Sequence, residues 1–138
     1  MYLKCYAGDT VEFSITPLLR SLAWSDIDDW DFIFTAKEAL ADVDADALIQ
    51  RTEAHGITLV QGTMLNEEHT ATIPNGLLDS ITLKLVHADT NNLQGKTLYC
   101  DIQAYNDTTE EVCRVAYFRL RIDPAVTRET TTSIPVNS

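Results

Sequence analysis

From Thr97 to Ile122 the chain carries two alternating runs that face each other across a polar turn, and only a sheet uses both. The first is Thr97-Leu98-Tyr99-Cys100-Asp101-Ile102-Gln103-Ala104-Tyr105-Asn106; the second is Val112-Cys113-Arg114-Val115-Ala116-Tyr117-Phe118-Arg119-Leu120-Arg121-Ile122. Successive side chains of a strand point to opposite faces, so a period of two separates an apolar side from a polar one. The two runs predict a long β-hairpin. In the second, Phe118, Leu120 and Ile122 point one way and Arg119 and Arg121 the other, while the phase breaks around Arg114 to Ala116. A β-bulge there, one extra residue on one strand, reconciles the two halves.

Further strands follow from the same pattern. Val11, Phe13 and Ile15 alternate with Thr10, Glu12, Ser14 and Thr16 until Pro17 removes a backbone donor. Trp30 to Ala36 is more continuously apolar, as expected of a central strand buried on both sides. Ile57 to Val60, Ala71 to Ile73 and Ile81 to Leu85 are short strands, set off by turn signals at Gly56, Gly62, Pro74-Asn75-Gly76 and Asn91 to Gly95. Leu18 to Asp29 reads as a loop or short edge element. Lys37 to Gln50 reads as a connection with one or two helical turns.

At 138 residues, a single domain buries roughly 65–70% of its unfolded surface, enough for one core without staples. Residues 1–128 are expected to form the β-sandwich domain and 129–138 a flexible C-terminal tail. The tail has a second reading, as an arm that adds a strand to a neighbour through Ile134, Pro135 and Val136. A formal charge of −11 repels phosphate backbones and anionic membranes, so neither nucleic acid nor membrane is an expected partner. Cys5, Cys100 and Cys113 form no paired motif and leave an odd thiol, which fits a reducing compartment. No segment reaches the length of a membrane span, and Met1 to Gly8 lacks the apolar run of a secretory signal, so the cytoplasm is expected.

Constellations that carry chemistry are few. Asp42, Asp44, Asp46 and Glu53 occupy positions 1, 3, 5 and 12 of an EF-hand-like spacing, the oxygens such a loop uses around Ca²⁺. Ala47 stands where that loop needs glycine, however, and strand-like sequence follows at Ile57. The plain alternative is an acidic loop with Asp44 or Asp46 capping a short helix. Ca²⁺ is therefore the single cofactor candidate, with none otherwise expected. Asp26, Asp28, Asp29 and Asp31 surround Trp30 without the opposed arrangement of a hydrolytic pair. His55, His69 and His87 lack zinc-ligand spacing, the serines lack a Gly-x-Ser-x-Gly context, and no cysteine is obviously activated by a neighbouring cation except Cys113 beside Arg114. Cys100, in phase with Ile102, reads as a small buried hydrophobe. No enzyme is expected. The outward residues Tyr99, Tyr105 and Tyr117 are candidates for interface or ligand contact, although sheet propensity alone also explains them.

Four ordered blocks add to this reading: Gly8-Asp9-Thr10; Phe34-Thr35-Ala36-Lys37 followed by Asp44 to Gln50; Gly56-Ile57-Thr58; and Tyr99 to Gln103 through Val126-Thr127-Arg128. In order and spacing the stretch from 8 to 128 resembles the immunoglobulin-like domains of phage and prophage tail and baseplate proteins, including the N-terminal module of siphophage upper baseplate proteins. That family's last hairpin commonly has an Asp-Gly turn and a glycine before its final strand; here Asn106 to Glu110 turns without glycine and Tyr117 stands in the second place. The resemblance implies an all-β, immunoglobulin-like antiparallel β-sandwich of about 7–9 strands, with a short helical or loop crossover near 38–50. It also implies a non-enzymatic structural protein assembled in the cytoplasm into a virion tail or baseplate. Its partners would be itself, as a homo-oligomer, and other phage tail proteins. The alternative is a carbohydrate- or calcium-binding module, motivated by the tyrosine face, Trp24, Trp30 and the acidic loop.

Overall fold

A computed structural model describes residues 2–17, 23–40 and 46–124 and folds them as an all-β sandwich. Its strands are β1 (Tyr2–Tyr6), β2 (Val11–Ile15), β3 (Trp30–Lys37), β4 (Ile49–Thr52), β5 (Ile57–Leu65), β6 (Thr72–Leu85), β7 (Thr97–Asn106) and β8 (Val112–Asp123). A 3₁₀ helix, Trp24–Asp29, leads into β3, and one helical turn, α1 (His87–Thr90), follows β6. Five strands form a large sheet in the order β1-β8-β7-β3-β4, and three form a small one in the order β2-β6-β5.

The inward residues of both sheets meet in one core. The large sheet supplies Phe32, Phe34, Leu98, Ile102, Phe118 and Leu120, and the small sheet Ile15, Ile81, Leu83 and Leu85, all essentially buried. Phe34 and Phe118 stack at 6.0 Å between ring centroids. Each such side chain contributes about 1.5–3 kcal/mol by leaving water.

The expected hairpin is β7 and β8, and its bulge lies where the phase breaks. Ile102 pairs with Ala116 and Gln103 with Arg114, so Val115 is the extra residue, fully buried. The turn manages without glycine. Asn106 Oδ1 accepts from the N–H groups of Thr108 (2.9 Å) and Thr109 (3.1 Å), and Glu110 takes the left-handed conformation at φ 59°. A short polar side chain that substitutes for a backbone acceptor is the usual way asparagine shapes a turn.

Several expectations need correction. β3 is interior to the sheet but not buried on both sides: Asp31 and Ile33 are exposed while Phe32 and Phe34 are buried. Pro74-Asn75-Gly76 does not separate two strands. It sits inside the continuous β6, where register shifts against β5 absorb the irregular residues and Gly76 takes φ 77°. Gly62 likewise lies within β5. Part of the segment read as loop or edge is the 3₁₀ helix, and β4 begins at Ile49, inside the segment read as helical. Residues 41–45 of that connection, and 125–138 with the proposed tail, lie outside the described residues.

The pairing of β1 with β8 is parallel, Tyr2 opposite Arg119 through Tyr6 opposite Asp123. Every other strand pair is antiparallel. Polar ties fix the turn between β1 and β2: the Gly8 N–H donates to Thr90 Oγ1 at 2.9 Å, and His87 Nδ1 lies 2.9 Å from the Gly8 carbonyl. Arg51, on the inward side of β4, pairs with the buried Asp89, whose Oδ2 also accepts from the Val86 N–H at 2.8 Å.

Candidate functional site

Alternation leaves one face of the large sheet outward, and its residues can be read off the register. Three cross-strand rows run over it: Tyr2, Arg119, Tyr99 and Lys37; then Tyr117, Asp101, Thr35 and Gln50; then Arg114, Gln103, Ile33 and Thr52. Tyr105 sits beyond them, between Val112 and Asp31, and Lys4, Arg121, Tyr6 and Asp123 lie at the opposite end. All five tyrosines of the chain are therefore on this face.

The charge is just as uneven. Of the eight lysines and arginines among the described residues, Lys4, Lys37, Arg114, Arg119 and Arg121 lie here. Of the 18 described aspartates and glutamates, Asp31, Asp101 and Asp123 do. The face is net cationic in a chain whose formal charge is −11.

The cations are ordered against the rings. Arg119 lies 5.2 Å from the Tyr99 ring centroid, Lys4 5.5 Å from Tyr6 and Arg114 5.6 Å from Tyr117, within the range of cation–π attraction. Asp123 joins β8 to β1 through Lys4 (3.1 Å) and pairs within β8 with Arg121 (2.7 Å), and Arg114 reaches Asp101 at 3.6 Å. The hydrogen bonds from Arg121 and then Lys4 hold the Asp123 carboxyl below its ordinary value.

Across the three rows runs a shallow groove of about 340 Å³, bordered by Tyr99 and Tyr117 with Thr35, Asp101, Gln103 and Arg114 among its lining. The sheet thus brings Tyr99 and Tyr117 to one depression, while Tyr105 shares the face but not the groove. Sequence reasoning did not find Tyr2, Lys4 and Tyr6. Their signal was present, since Tyr2-Leu3-Lys4-Cys5-Tyr6 alternates, but nothing local says that this strand joins the far end of the chain.

The other candidates are dispersed. Asp42 and Asp44 lie outside the described residues, Asp46 is exposed, and Glu53 Oε1 accepts from the Phe32 N–H at 3.2 Å. Among the described residues no three His, Cys, Asp or Glu side chains gather around a point that would hold a metal. Asp26, Asp28 and Asp29 are exposed on the 3₁₀ helix.

Cys113 is not activated by Arg114. Burial and then the Glu111 charge push its thiol up, and Arg114 is turned to Asp101 and the Tyr117 ring. Burial also pushes the Cys100 thiol up to about 12 and that of Cys5 to about 11. Among the described residues no helix is long and apolar enough to cross a membrane. Comparison with models of protein families and with curated proteins gives no match.

Proposed function

We propose that this protein is a non-enzymatic structural component of a phage or prophage tail or baseplate, an immunoglobulin-like module that acts through protein–protein contacts. The observation that carries the reading is the gathering of all five tyrosines, with half of the chain's lysines and arginines, on one face of the large sheet. Tyrosine and arginine are the residue types that interfaces enrich, because each combines a large contact area with a polar tip. The ordered sequence blocks supply the tail and baseplate context, with assembly in the cytoplasm and residence in the virion.

Light scattering coupled to size-exclusion chromatography tests it, on the chain alone and co-expressed with the products of adjacent genes. A self-assembled species, or a stable complex with a tail component, is expected. A lone monomer that binds none of them would sink the reading.

The groove between Tyr99 and Tyr117 favours one alternative, a carbohydrate-binding module, since sugars lay their apolar faces on aromatic rings and hydrogen-bond with flanking polar groups. Chemical-shift changes confined to groove residues on titration with a glycan panel would select it. The calcium form of that alternative rests on Asp42, Asp44, Asp46 and Glu53, and a thermal melt unmoved by Ca²⁺ would remove it.

A further inference from the structure

We infer that the cationic tyrosine face of the large sheet docks onto the acidic surface of a second copy of this chain, in a head-to-tail contact rather than a two-fold one. This rests on the assembly reading above and names the contact that performs it. The face carries five basic and three acidic side chains. Among the described residues the remainder carries three basic and 15 acidic ones. A two-fold pairing would set this face against itself, cation opposite cation, whereas a head-to-tail pairing sets it against the opposite charge.

Size and order fit the same contact. The five strands contain 5, 12, 10, 8 and 4 residues. At ~3.3 Å per residue and ~4.8 Å between strands they present roughly 600 Å² before side-chain relief is counted. That is close to the ~800 Å² per partner of a standard interface. Arg119, Arg114 and Lys4 are already held over tyrosine rings, so docking immobilises fewer free rotamers.

Sedimentation equilibrium on the full chain tests the contact, from ~0.01 M salt, where charges interact over about 30 Å, to ~1 M, where they interact over about 3 Å. We expect association that weakens at least about tenfold across that range. The double variant R114E/R119E should lose it while keeping the wild-type circular dichroism spectrum, and K84E, on the outer face of the small sheet, should retain it. Should R114E/R119E not fold, the salt series on the unaltered chain and K84E decide. A monomer at every salt concentration overturns the inference; if that monomer still binds a tail component, the assembly reading stands without it. Association that salt strengthens, or that survives in folded R114E/R119E, assigns self-contact to another surface and also overturns it.

Discussion

The outer faces of the two sheets obey one rule and end in different chemistry. Both alternate with period two over a shared core, yet the small sheet shows Glu12, Ser14, Thr58, Val60, Ser80, Thr82 and Lys84 outward, without a single aromatic ring. The large sheet shows five tyrosines and five cations. Threonine and valine satisfy a pleated surface as well as tyrosine does, so strand formation does not require the composition of the larger face. A demand on the surface itself is the simplest account of the difference.

The comparison assumes that the two sheets stand or fall together. Phe118→Ala tests this most severely: it should weaken a single denaturant transition by about 3–5 kcal/mol, and two resolved transitions would break the assumption. Asp89→Ala removes the partner of Arg51 between the edge of the large sheet and the segment after β6. Arg51 remains partly exposed to water, which keeps the expected loss near the bottom of the buried-pair range, about 3 kcal/mol in the same measurement.

Gly56, between β4 and β5, has φ 102°, and a Cβ there would stand 2.9 Å from the Lys84 carbonyl oxygen. Gly56→Ala should therefore cost about 1–3 kcal/mol, read as a lower denaturation midpoint. The contrast between faces is sharpened by a matched pair. Arg119→Ala and Thr82→Ala, one on each outer face, should each change stability by less than about 0.5 kcal/mol, so a large loss at Arg119 alone would give that face a structural purpose.

The smallest effect is electrostatic. Asp123 has a lowered folded-state pKa, so its stabilising contribution is present above the ordinary carboxyl value and fades as pH falls through the folded one. The stability difference between the wild type and Asp123→Asn should accordingly be greatest near neutral pH and vanish in acid. A difference that persists below the folded value would assign the effect to something other than the carboxylate's charge.

How much of this was legible in the sequence divides along the distinction between local and distant order. The β7–β8 hairpin, its bulge, the outward tyrosines and the buried Cys100 were legible, because each follows from neighbours a few residues apart. The interior of β6 was misread. Pro74-Asn75-Gly76 is a strong turn signal by composition, and only pairing with β5 shows that it is absorbed as an irregularity. β1 and β4 were missed for a related reason: Tyr2 to Tyr6 alternate but nothing nearby gives that run a partner, and the four residues of β4 are too few for periodicity to speak. The site suffered most from the loss of β1, which carries two of its five tyrosines.

The parallel seating of β1 against β8 also governs the order in which the molecule can be made. Of the described strand residues Tyr2 is the earliest made, and its partner Arg119 is among the last to follow. Synthesis adds about 5–20 residues per second, so Tyr2 to Tyr6 wait several seconds with their hydrogen-bonding edge open. The large sheet cannot seat β1 until β8 has been made. Docking of β1 therefore waits on β8, because closing so long a loop is rewarded only when β8 is already in place.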